Sequence, residues 1–502
     1  MLFTSIPFLL YFMPVVVIGY QLLGKSGRRP VIAWLALTSV LFYAVWNPKF
    51  VLLLLGSMAL NFFCSRAIAA SATDSRKKAW MIAGVALNLT ALGYYKYLFP
   101  LLGWFNSVGW SHRWSNVILP LGISFFTFTQ ITYLVDLAQG EATAQSFPEY
   151  ALFVTFFPHL IAGPILHHRE MMPQFSEEKT YSLRANDFFV GLSWFIMGLA
   201  KKSILADKLA PTADYAFAHV SMLSPSQAWV GVLSYAFQLY FDFSGYSDMA
   251  IGVARMFSIR FPMNFNSPYK AANIIDFWSR WHITLTRYLT LYLYDPISLA
   301  ISRRRLASGR KVSRKAQKTL PGFASMVATP MLVTMFIAGI WHGAGLQFLI
   351  FGLLHGVYLC VNHAWRIFRK APAGDRSPSL VAHSGSVLLT FACVLVGQVF
   401  FRANSTADAL GVLRALIGWR SQAGAAVTPQ SVLLLVALAV VVWLAPNTQE
   451  ILGQAEGSRA STLRWLQPRF TYSWPWAFAM GTLLFGAILF VSNSSTFLYF
   501  QF

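Results

Sequence analysis

Charge is what this chain has least of. Of its 502 residues, 11% are Asp, Glu, Lys or Arg, less than half of the roughly 25% carried by a soluble domain, so most of the surface does not face water. Acids are scarcest, 18 against 39 Lys and Arg, for a formal net charge of +21. Cysteine is nearly absent. Cys64, Cys360 and Cys393 lie in apolar runs with no paired spacing, which excludes a disulfide framework or a cysteine zinc site and leaves small buried hydrophobes. No hydrophilic stretch exceeds roughly 40 residues, too little for a separate soluble catalytic domain. Any chemistry must therefore be built among apolar segments. No repeat at solenoid period is present. The first apolar run, Ile6 to Leu23, has no basic residues ahead of it and no small-x-small cleavage pattern, and reads as a retained helix.

What fills the chain is 56% hydrophobic, with 17 Trp and 43 Phe and a mean hydropathy of +0.53. That composition gives an all-α, polytopic integral membrane helical bundle, aromatics packing between helices and at headgroup level. Apolar runs recur from 5–23 to 474–492, enough for about 11–14 spans at about 20 residues each. Two of them, 150–166 and 283–300, are short or polar-interrupted and read as re-entrant or interfacial. The basic residues form short clusters between runs: Lys25 to Arg29, Arg76 to Lys78, Lys201-Lys202, Arg303 to Lys318 and Arg366 to Lys370. All can lie inside, as positive-inside bias requires, if the N-terminus is outside. The same surface would attract anionic membrane lipid, and nucleic acid is excluded as the reason for the charge. Segments 371–382 and 420–430 read as Ser/Gly/Pro loops.

Polar groups within apolar runs are expensive and tend to mark function. The first cluster is Phe157-Pro158-His159-Leu160-Ile161-Ala162-Gly163-Pro164. Its prolines and glycine break a helix, and His159 reads as hydrogen-bonded to a carbonyl freed by that break. The second runs from Gln238 to Met249, where Asp242 and Asp248 interrupt what would be a span, with Tyr246 between them. Arg255, Arg260, Arg280 or Arg287 could supply their donors, making a buried polar network; no metal site is assigned, because no further ligands share the spacing. The third holds two Trp-His pairs that bracket the basic Arg303–Lys318 segment. Arg280-Trp281-His282 lies before it, and Trp341-His342, followed by Gly343, Ala344 and Gly345, ends the apolar run after it. Histidine is the side chain most readily used as a proton acceptor near neutral pH, and the small residues would let a backbone or ligand approach His342. The runs at 323–341 and 346–364 form a hairpin with His342 near its far end. His355 and His363 read as ordinary.

On these residues the chain resembles the membrane-bound O-acyltransferase superfamily, and within it the bacterial alginate O-acetyltransferase branch. The matching pieces are Phe156 to Pro164, Gln238 to Ile251, Asp276-Phe277-Trp278 with Arg280-Trp281-His282, Gly339 to Ala344, and the C-terminal Phe497 to Phe502. The resemblance implies one membrane-embedded acyltransferase domain over 1–502, with N-terminal spans at 1–110, a core at 115–370 and C-terminal spans at 383–502, around a funnel-like central cavity. It implies His342 as the essential residue and His282 as its partner, with Trp341, Trp281, Arg280, Asp242, Asp248, His159 and Tyr246 lining or supporting the cavity. One segment departs from the family pattern. Thr290 to Ala300 lacks the Arg-Asp pair and the Gly-Gly that usually follow the Arg-Trp-His motif.

The function so implied is a multi-pass O-acetyltransferase of a bacterial inner membrane. It would pass an acetyl group from acetyl-CoA, a co-substrate rather than a bound cofactor, to an extracytoplasmic polysaccharide. With no soluble domain in the chain, a periplasmic or surface acetyltransferase of the serine-esterase type is the expected partner. Two alternatives are D-alanyl transfer to teichoic acid and, from a different class, a transporter using intramembrane Asp, Arg and His as a path. The absence of inverted repeats argues against the second.

Overall fold

The computed structural model describes residues 1–102, 118–369, 379–419, 427–453, 470–491 and 497–498. Lys370, most of the two loop segments (371–378 and 420–426), the first residues of the 115–138 run and Tyr499 to Phe502 lie outside them. Among the described residues the regular structure is helical throughout. Six helices among the described residues are long and apolar enough to cross a membrane, from Lys49–Ala70 to Trp474–Val491, and three shorter apolar ones accompany them there: Phe8–Gly24, Ile123–Ala138 and Pro429–Leu444. This is a multi-pass membrane protein. The 283–300 run is continuous helix, Ile283–Leu289 passing through a π-helical stretch, Thr290–Tyr294, into Asp295–Ala307. The divergent segment thus stays helical, and Arg303 to Arg305 extend that helix rather than a loop.

Backbone packing divides the chain into two compact units. The first comprises Met1–Ile204, Asp242–Met263 and Arg469–Gln501. Its core holds an aromatic cluster: Phe3 lies 5.0 Å from Phe8, Phe12 5.3 Å from Phe157, and Phe42 5.4 Å from Phe157. Polar side chains join its apolar helices where no water could satisfy them. Asn88 donates to Asn61 at 2.6 Å, Gln130 to Ser57 at 2.9 Å, and Tyr150 to Gln130 at 2.9 Å.

Glycine sets the closest approach in this unit. Gly191 and Gly198, seven residues apart on the Ala185–Ala200 helix, face Gly252 and Gly245 on Pro225–Met256. A Cβ at Gly198 would sit 2.5 Å from the Gly245 carbonyl oxygen, and one at Gly191 2.6 Å from that of Gly252. Only bare backbones fit, as in other membrane helix pairs built on small residues. One turn beyond Gly198 this contact delivers Lys201 to Asp248 and Lys202 to Asp242, each at 2.6 Å. Three expectations are corrected here. Pro225–Met256 runs through both aspartates without interruption, because each acid has a cation beside it. The donors are lysines: Arg255 instead pairs with Asp187 at 2.8 Å and Arg280 with Asp276 at 2.8 Å. Lys201-Lys202 does not lie in a loop either: it opens the π-helical stretch Lys201–Ala206, and the Lys202 side chain is 4% exposed and paired with Asp242.

The same unit resolves the proline-rich break. Phe156 leaves helical geometry (φ −47°, ψ 109°), and the Phe157 N–H donates to Ser39 Oγ at 3.0 Å instead of to the carbonyl one turn back. That carbonyl, of Phe153, accepts from His159 Nε2 at 2.9 Å. His159 does what its position predicts, repairing a broken helix. Tyr246 stacks on Phe497 at 4.5 Å and on Phe3 at 4.9 Å, while the Leu498 N–H donates to Asp242 at 3.0 Å. Both residues therefore seat the C-terminal segment.

The second unit comprises Leu205–Phe241 and Asn264–Pro468, with Phe502. Its centre is the expected hairpin, Leu320–His342 against Leu346–Phe368. A Cβ at Gly339 would lie 2.5 Å from the Phe348 carbonyl oxygen, and one at Gly352 2.3 Å from that of Met335. The two backbones touch, which fixes how far His342 projects at the hairpin's end. Leu380–Arg402 packs on the second arm, anchored by Arg402 on Asp214 at 2.6 Å.

Candidate active site

The irregular segment before Ile283 is held by backbone and amide hydrogen bonds, which is how non-helical chain persists among apolar helices. Asn266 N–H donates to the Arg280 carbonyl and Ile283 N–H to that of Asn264, each at 2.9 Å. Between them His282 adopts left-handed backbone (φ 44°, ψ 53°). A non-glycine residue there costs on the order of 1–3 kcal/mol and persists where its surroundings over-determine it. Asn264 supplies the over-determination. Its Oδ1 accepts from the Thr284 N–H at 3.3 Å and the Thr284 hydroxyl at 2.9 Å, and lies 3.0 Å from His282 Nδ1. A backbone N–H can only donate, so the Asn264 atom is the acceptor oxygen and His282 Nδ1 must carry a proton. In the neutral ring Nε2 then holds the lone pair. The sequence offered no sign of Asn264; only the fold brings it to His282.

Arg280 and Trp281 support this turn. Arg280 donates to Asp276 and, at 3.3 Å, to the Asn266 carbonyl. Trp281 lies between Phe277 at 5.7 Å and Tyr269 at 6.1 Å, both stacked. Tyr269 is itself held through its hydroxyl, which donates to the Ala236 carbonyl and accepts from Gln398, each at 2.8 Å.

His342 is the last residue of Thr329–His342 and is 5% exposed. Its ring is walled by Trp341 at 4.8 Å, Phe401 at 5.0 Å and Phe351 at 5.7 Å, all edge-on. Gly343 turns extended and ends the helix. The space over it is not open to a ligand, as the run of small residues had suggested. A Cβ there would meet the Phe348 ring at 2.2 Å, so the glycine makes room for the chain's own aromatic. His355, passed over as ordinary, sits between the two Trp-His pairs. It is 4.7 Å from Phe351, 5.2 Å from Trp278 and 6.3 Å from Phe277. A run of touching rings, Trp281, Phe277, His355 and Phe351, thus joins the Arg280–His282 turn to His342. A Cβ at Gly397 would fall 2.5 Å from His355 Nε2, so Leu380–Arg402 closes over that histidine.

The chain matches the family model for membrane-bound O-acyltransferases over residues 116–311, which includes His282 and stops short of His342. A peptidoglycan O-acetyltransferase of Helicobacter pylori is 40% identical over 450 residues, covering 83% of this chain and 80% of that protein. The chain belongs to the membrane-bound O-acyltransferase family. It is an O-acyltransferase. A Pseudomonas aeruginosa protein named "Probable alginate O-acetylase AlgI" is 36% identical over 81% of this chain and 72% of its own length. A teichoic acid D-alanyltransferase of Bacillus subtilis is 26% identical over 58% of this chain and 70% of its own.

Proposed function

We propose that this acyltransferase moves acetyl groups from acetyl-CoA to hydroxyls of a cell-envelope polysaccharide, peptidoglycan in the first instance. Transfer is direct or passes through a serine-esterase-type acetyltransferase outside the membrane. The identities support acetyl over D-alanyl: the two O-acetylating relatives named above match at 40% and 36% over about four-fifths of the chain, the D-alanyltransferase at 26% over 58%. The observation that carries the site is His342, a buried imidazole at a helix end, ringed by aromatics that exclude water and fixed by a glycine-tight hairpin. His342 acts as general base. It takes the proton of the acceptor hydroxyl as that oxygen attacks the thioester carbonyl, and returns it to the departing CoA thiolate. The dry surroundings protect the thioester from hydrolysis. His282, with its proton held on Nδ1 by Asn264, presents Nε2 as an acceptor on the same reaction path.

The test is His342→Ala and His342→Gln in the native host, reading polymer-bound acetate released by mild alkali. Loss of about 10²–10⁴-fold is expected, the usual contribution of a general base, with unchanged protein level in the membrane. Wild-type acetylation in both variants refutes the assignment. Release of D-alanine in place of acetate overturns the choice of donor while leaving His342 standing.

A further inference from the structure

We propose that Asp136, His167 and His168 form a binding site for a divalent transition-metal ion, zinc first, at the end of the Ile123–Ala138 helix. The site lies in the first unit and does not rest on the acetyl-transfer reading. His167 Nε2 and His168 Nδ1 each lie 3.1 Å from the same carboxylate oxygen, Asp136 Oδ2. The three ligand atoms fall within 4.8 Å of one another. Donors on a tetrahedral zinc, with bonds of about 2.0–2.1 Å, stand about 3.3–3.4 Å apart. Two imidazoles and a carboxylate are also the donor set such ions prefer, and three protein ligands leave one position open.

The simpler reading is a carboxylate bridging two imidazoles by hydrogen bonds alone. Direction argues against it at His168. Its Nδ1 is buried and 3.1 Å from Oδ2, yet among the described residues it makes no hydrogen bond. A hydrogen bond needs the N–H to point at its acceptor, so closeness without alignment suits two ligands converging on one ion. The frame is built to hold them. Asp136 stands in the last turn of its helix, its own carbonyl accepting from Glu141 N–H at 2.8 Å and Ala142 N–H at 3.2 Å. Arg169 pairs with Glu141 and ties that turn to the His168–Ser176 helix. Tyr133 packs its ring 6.0 Å from His168. His167 is extended (φ −98°, ψ 136°) and His168 opens the helix, which is how neighbouring residues present opposite ring nitrogens to one point.

The experiment uses the purified full chain in detergent, dialysed against a chelator and then given zinc chloride alone. Bound metal and the thermal unfolding midpoint are both measured. About one zinc per chain is expected, together with a midpoint raised by several degrees, since the ion binds the folded state. Asp136→Asn and His167→Gln are expected to lose both responses. Should those variants fail to fold, cobalt(II) chloride added to the stripped wild-type chain is expected to give the visible absorption of a low-coordinate N/O site. Wild-type chain that takes up no zinc, shows no cobalt absorption and keeps its midpoint refutes the site. So do folded variants that bind zinc as the wild type does.

Discussion

The two histidines that follow tryptophan are held by opposite means. His282 sits on strained backbone and is fixed by hydrogen bonds to a single amide, which also decides which nitrogen carries its proton. His342 ends a regular helix and is fixed by shape, with aromatic edges around the ring and a close-packed glycine hairpin behind it. The first arrangement specifies chemistry at one atom. The second specifies position and packing. The two arrangements respond to different substitutions, and the proposed transfer draws on both.

Among the residues that hold the two histidines in place, the largest effect is expected at Asn264. Asn264→Ala leaves three donors of His282 and Thr284 without their acceptor, and each buried orphan costs about 1–3 kcal/mol. The strained turn then keeps only its backbone bonds and the Arg280 and Trp281 contacts. Unfolding in detergent should come at markedly lower temperature, and transfer should fall on the order of tenfold or more, as when outer-shell partners of functional histidines are removed. Asn264→Asp keeps the acceptor and should retain more of both. Equal behaviour of the two variants in an acetylation assay would show that the acceptor is not what positions His282.

Gly343→Ala comes next and acts on the other histidine. Extended backbone tolerates alanine, so the whole effect is steric: the new methyl drives Phe348, which lies 5.6 Å from Phe401, into the box around His342. Overpacking of this kind costs about 1–3 kcal/mol. Adding Phe348→Leu should recover part of the transfer rate, whereas the same change in the wild type should lower it. Without that recovery in paired assays, the glycine serves something other than room for Phe348.

How much of this was legible beforehand follows from the range of each interaction. Composition displayed the membrane bundle, and the Trp-His pairs displayed the two histidines, because each is a local pattern. His159 was legible because a broken helix frees its carbonyl nearby in sequence. Asn264 was not, since an amide eighteen positions from its histidine has no periodic signature. Lys201 and Lys202 were misread because a basic pair looks the same whether it marks a loop or faces buried acids. The deciding feature is the glycine spacing on two helices, Gly191 and Gly198 against Gly245 and Gly252, which only packing turns into contact. His167 and His168 escaped for the same reason, their acid partner lying on another helix.

The smallest effect is expected at Phe351, the ring shared by His342, Phe401 and His355. Phe351→Leu keeps most of the volume and removes edge contacts worth about 0.5–1.5 kcal/mol, so transfer should fall by no more than about tenfold. Its use is in combination with Asn264→Ala. If polar and aromatic anchoring are independent, their stability losses should add to within about 0.5 kcal/mol. Phe277 and His355 nevertheless lie in ring contact between them. A double variant that departs clearly from the sum, measured by unfolding in the same detergent, would mean that those rings carry strain from one histidine to the other. The Trp-His pairs would then be one device, and the contrast between them would fail.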